Sequence, residues 1–186
     1  GVACLEMAAD RLKEAVGYPL NEVVEPRHDG RHERTNDLRV LALLLAFQAC
    51  LQLWIPGRTE QARELAPQSL ALLEQLELRD QDLRFERAVI LLLTSSLGNR
   101  AAQDEESLSL LRAIGDHPWW IRTALWDLGQ EYWVRGRFER AKVAYEESLA
   151  LTQQLGVPES TADLLKALGG IAWESGDYRT AEELWY

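Results

Sequence analysis

Apolar residues recur at spacings of three and four along almost the whole chain, and strict alternation is nowhere sustained. That is the periodicity of amphipathic helices, not of strands. Leu125, Leu128, Gly129 and Tyr132 form one stripe, and Ala141, Tyr145, Ser148 and Leu149 form the next. Glycine and proline punctuate the stripes. Gly136-Arg137 separates those two, and Gly57, Gly98 and Gly176 stand at corresponding places. Gly115-Asp116-His117-Pro118 and Gly156-Val157-Pro158 each end one helix and let the proline open another. The pattern predicts helices over 2–16, 35–55, 59–77, 80–97, 100–114, 119–135, 138–155, 159–175 and 178–186. Gly98 falls about two residues late relative to Glu105-Glu106-Ser107-Leu108, which predicts a shortened turn there.

The helices come in pairs, and the pairs repeat. Leu128-Gly129, Trp133, Gly136, Phe138 and Ala141 return at a constant offset as Leu168-Gly169, Trp173, Gly176, Tyr178 and Ala181. Trp54, Gly57, Ala62 and Ser69-Leu70-Ala71-Leu72 match Trp133, Gly136, Ala141 and Ser148-Leu149-Ala150-Leu151 at about twice that offset. Self-similarity at this period means a stacked array whose units bury their apolar faces against their neighbours. The predicted units are about 35–79, 80–117 and 118–157, with an incomplete one at 158–186. Residues 1–34 read as one partial repeat helix followed by an insertion, Gly17 to Arg34, rich in proline and glycine. Glu6–Val16 reads as the second helix of a unit, and Thr180–Tyr186 as the start of one, so a fragment of a longer array is expected.

Leu125, Leu128-Gly129, Tyr132, Gly136, Phe138, Ala141, Tyr145 and Ser148 resemble the tetratricopeptide repeat. The second copy keeps Leu165, Leu168-Gly169, Gly176, Tyr178 and Ala181; an earlier one is looser, with Cys50 where glycine is usual. The resemblance implies an all-α fold, a right-handed superhelical array of antiparallel helix pairs. The units here are longer than the family's common length of about 34 residues. The usual terminal proline beyond Ser148 is missing. Longer units of this kind, with the segments ESLALTQQLG and LGGIAWESGDYRTAEEL, are similar to the repeat regions of large bacterial ATP-dependent transcriptional regulators. There the array senses an inducer or holds the switch.

Composition narrows the partners. Twenty Lys and Arg against 30 Asp and Glu give a formal charge of −10, with no cationic run, so direct nucleic-acid binding is not expected. The longest apolar run, Val40 to Phe47, is far short of the ~20 residues a membrane span needs. Cys4 and Cys50 form no metal-ligand pattern, and a reducing cytoplasm is the expected setting. No phosphate loop, dinucleotide fingerprint, nucleophile elbow or zinc-protease motif occurs, and adjacent carboxylates such as Glu146-Glu147 splay apart. No enzyme activity, metal site or cofactor is expected. His28-Asp29-Gly30-Arg31-His32 has two imidazoles but no third ligand nearby.

Seven tryptophans are many for this length, and Trp54, Trp133 and Trp173 each lie three residues before a turn glycine. Phe47, Trp126 and Lys166 lie ten before the same glycines. Each stripe sits about a quarter turn from the glycine-bearing packing face, on the side that lines the concave groove in tetratricopeptide arrays. Two readings stand: rings packed between repeats, or an aromatic groove of Phe47, Trp54, Trp126, Trp133 and Trp173 with Gln130, Lys166 and Glu174 orienting a partner. The expected function is a non-catalytic interaction module or scaffold binding a protein or peptide segment. The alternatives are a small-molecule inducer sensed within a larger regulator, and a spacer or homodimer formed through exposed repeat ends.

Overall fold

The structure, a computed structural model, describes residues 31–53, 57–77, 82–98 and 100–186. The expected helix 2–16, most of the 17–34 insertion, Cys4 and Trp54 lie outside the described residues. Among the described residues every regular element is helical: α1 (Arg31–Leu53), α2 (Thr59–Glu77), α3 (Arg84–Thr94), α4 (Arg100–Ile114), α5 (Pro118–Val134), α6 (Phe138–Leu155), α7 (Pro158–Glu174) and α8 (Tyr178–Trp185). Among them, no helix is long and apolar enough to cross a membrane.

Three boundaries differ from expectation. Helix α1 begins at Arg31 instead of 35, so the last residues of the supposed insertion are helical. The helix expected from 80 begins at Arg84 and finishes in a single 3-10 turn, Ser95–Leu97. Gly98 was expected to end its helix as the other glycines do, in a shortened turn, and the next helix does resume at Arg100. Gly98 has φ −131°, whereas Gly57, Gly136 and Gly176 have positive φ, because the tightened 3-10 end removes the need for a left-handed residue.

The chain forms two compact units, 1–98 and 99–186, and the boundary falls inside the predicted 80–117 repeat. In the first unit, Leu38, Leu41, Ala42 and Leu45 of α1 pack with Leu72, Leu73 and Leu76 of α2 and Ile90 of α3. Ala49, Ala62 and Ala66 let α1 and α2 approach closely. Arg39 of α1 donates to the buried Glu86 of α3 through Nε at 2.8 Å.

In the second unit α4 and α6 both pack on α5, α7 packs on α6, and α8 packs on α7. Ala141, Tyr145, Leu164, Ala167, Leu168 and Ile171 are its buried centre. A Cβ at Gly129 would come under 3.0 Å from the Tyr145 ring, so the α5–α6 crossing requires glycine there. The α5 end is closed by two bonds around a left-handed glycine: Gly136 N–H donates to Trp133 O and Arg137 N–H to Tyr132 O, both at 2.8 Å. The same pair of bonds recurs at Gly176 and Asp177, which fixes the phase of each hairpin.

Candidate functional site

Between α4 and α6, which flank α5, lies a trough of about 630 Å³. Leu125, Leu128 and Tyr132 of α5 form its floor. Glu105, Leu108, Ser109 and Arg112 of α4 make one wall; Glu139, Arg140, Val143, Ala144 and Glu147 of α6 make the other. Each row follows helical spacing over about two turns, so the trough is about 10 Å long at 1.5 Å per residue. Val143 is 63% exposed although apolar, and stands on its lip.

Polar struts tie the walls to each other and to the floor. Arg112 reaches from α4 to Glu147 of α6, 2.6 Å from both carboxylate oxygens. Tyr132 donates its hydroxyl to Glu105 Oε1 at 2.6 Å, and the Arg140 guanidinium lies 5.8 Å from the Tyr132 ring centroid. Burial first, and then the bond to Glu105, pushes the Tyr132 hydroxyl above the usual phenol value, so it stays a donor.

Behind the floor, Arg100 of α4 lies 3.9 Å from Asp104 and 3.5 Å from Asp127 of α5. Burial raises the Asp127 carboxyl above its usual value, and Arg100 pulls the other way. The Tyr145 hydroxyl is buried with no hydrogen-bond partner among the described residues. Burial, then the Asp127 carboxylate, holds it protonated far above the usual phenol range. These groups brace α4, α5 and α6. Among the described residues, no three His, Cys, Asp or Glu converge as a metal site would require.

The residues expected to line an aromatic groove lie on α1 in the first unit and on α5 and α7 in the second. Phe47 is 37% exposed on α1, in the first unit. Trp126 and Trp133 are half-buried against the α6–α7 core. Trp126 lies 5.4 Å from Tyr145 between centroids, and the Trp133 ring would touch a Cβ at Gly170 at 3.4 Å. Gln130 is half-buried, while Lys166 and Glu174 are exposed. Trp173, 52% exposed, packs edge-on to Tyr178 at 4.7 Å and stacks on Trp185 at 5.9 Å. Trp126 and Trp133 therefore share one packing layer, and Trp173 occupies the equivalent layer of the next hairpin.

Residues 120–184 match the family model described as tetratricopeptide repeat. The match supports a tetratricopeptide-like domain. The all-helical repeat fold has a solved counterpart as well. The chain superposes on the crystal structure of BtubC (BKLC) from P. vanneervenii with a TM-score of 0.67, at 20% identity, over 97% of this chain and 70% of that one. In sequence it is 36% identical over 110 residues to the regulatory protein AfsR of Streptomyces griseus. That stretch is 57% of this chain and 11% of the relative, so the chain spans about a tenth of the curated protein it matches.

The motif residues Leu125, Leu128 and Tyr132 line the bottom of the trough, and residues outside the motif, Val143 among them, make its walls. Sequence reasoning took Leu125, Leu128 and Tyr132 as packing residues and passed over Val143. Comparing the repeat copies gives a signal: in the next copy Val143 has Glu183 as its counterpart, and Tyr132 has Ala172.

Proposed function

We propose that the chain is a non-catalytic interaction segment of a larger regulatory protein, and that its tetratricopeptide hairpins hold a partner segment in the α4–α6 trough. One observation carries the reading: a largely apolar trough two helical turns long, walled by helices, braced by Arg112–Glu147 and Tyr132–Glu105 and edged by the exposed Val143. Tetratricopeptide repeats generally mediate protein–protein contacts, and the likeness to AfsR supports a regulatory context. Nothing in the trough offers a nucleophile–base pair, and its carboxylates are committed to struts or to solvent. Phe47, Trp126, Trp133 and Trp173 set the spacing of the repeats in this reading, with Gln130 on the Trp126–Trp133 face of α5 and Lys166 and Glu174 exposed on α7.

A second reading follows from the trough's size, since about 630 Å³ lies within the range of small-molecule sites. A small-molecule inducer seated there would pull α4 and α6 together. Selection from a displayed library of short helical and extended peptides, against the chain and against Val143→Glu, tests the main reading. Binders that lose affinity for Val143→Glu are expected. Binders indifferent to it would remove the trough from the account.

A further inference from the structure

We infer that the occupant of the trough is a basic amphipathic α-helix: apolar side chains at i, i+3 or i+4 and i+7, and lysine or arginine on the flank beside Glu139. This rests on the trough being the binding surface and names what fits it.

Shape argues for a helix. Leu125, Leu128 and Tyr132 are spaced three and four apart, and Leu108 with Arg112 and Arg140 with Val143 repeat that spacing on the walls. Side chains in register with three helical rows come from a fourth helix lying along them, as ridges seat in grooves. An extended segment at about 3.3 Å per residue would place only two inward side chains over the same length.

Charge argues for a basic flank. The two arginines of the walls are engaged, Arg112 on Glu147 and Arg140 over the Tyr132 ring. Glu139 is exposed and, among the described residues, takes part in none of the trough's ion pairs. Residues 99–186 hold 15 Asp and Glu against nine Lys and Arg, so the surrounding field favours a cationic partner.

The test uses the whole 186-residue chain and fluorescently labelled peptides of about 14 residues, roughly four helical turns. One carries a leucine stripe with lysines, the second has glutamate for every lysine, and the third is the lysine peptide with a central proline. Anisotropy should show the lysine peptide binding about tenfold or more tighter than the other two. Glu139→Lys should cut its preference over the glutamate peptide several-fold, and added salt should erode the same preference. Val143→Glu should weaken the lysine peptide despite adding a negative charge, by about tenfold, because the apolar lip is lost. Positions 139 and 143 are both exposed, so unchanged circular dichroism is expected for each variant. If the glutamate or proline peptide binds as tightly while Val143→Glu still weakens binding, the basic helix is overturned and the trough stands. If Val143→Glu affects no peptide, the trough falls too.

Discussion

The hairpins α5–α6 and α7–α8 repeat one sequence pattern, yet they bury different amounts of it. Tyr145 of α6 fills the gap at Gly129 and is fully buried, covered by α7. Its counterpart Trp185 fills the gap at Gly169 and remains 43% exposed, its indole N–H donating to Lys166 O at 3.2 Å. The outer grooves differ as well. The one over α5 measures about 630 Å³; the one over α7, between α6 and α8, measures about 310 Å³. At the facing positions Tyr132 becomes Ala172, Arg140 becomes Thr180 and Ala144 becomes Leu184. The repeat thus conserves the rule for crossing helices and leaves the groove-facing positions free to differ.

The largest contrast is expected at the gap-filling rings. Tyr145→Ala should cost about 3–5 kcal/mol, as for other fully buried aromatic truncations, and Trp185→Ala only about 1–2 kcal/mol. Urea unfolding of the two variants measures this, and equal losses would break the comparison. Next come the glycines beneath the rings. Gly129→Ala drives a Cβ into a ring that is packed on all sides, and should lose about 1–2 kcal/mol even after a helix-propensity gain near 1. Gly169→Ala meets an indole with room to swing, and should be close to neutral.

A smaller difference lies at the helix starts. Asp177 caps α8, accepting from Thr180 N–H at 3.1 Å, a bond that holds its carboxyl below the usual range. Arg137, in the same place before α6, provides no side-chain cap. Arg137→Asp should therefore stabilise by about 0.5–1 kcal/mol, whereas Asp177→Ala should lower Tm. The Asp177 contribution is present above the unfolded carboxylate value and disappears as pH falls through the lowered folded one, so Asp177→Ala should flatten the acid limb of the Tm profile.

The smallest effect concerns the brace found behind the first trough. The Asp127 pKa is raised in the folded chain above its ordinary 3.8, so the folded state holds that proton better than the unfolded one. Its stabilising share is present below that value and is lost as pH rises through the folded one. The stability of the natural chain relative to Asp127→Asn should fall across that window. A difference independent of pH would contradict the burial that sets the shift.

Most of the fold was legible because its stops are chemical. The expected bounds 59–77, 100–114 and 138–155 coincide with α2, α4 and α6, and a glycine stands just before each of the three and just after α4 and α6. Expectation slipped where the signal was only mixed charge, as at the start of α1. It slipped again at Gly98, where a 3-10 ending did the work of a left-handed glycine. The trough was not legible. Periodicity shows that Leu125, Leu128 and Tyr132 face inward, but not that a trough lies between the helices flanking α5. The tryptophan stripe was visible as spacing, yet spacing alone did not reveal that Trp133 lies against Gly170.

Backbone amide shift mapping during titration with the lysine-bearing helix tests the central claim most directly. The account predicts shifts at Leu108, Leu128, Tyr132 and Val143, with their counterparts Leu149, Leu168, Ala172 and Glu183 unmoved. Shifts shared equally by both hairpins, or confined to the Trp126, Gln130 and Trp133 side of α5, would contradict it.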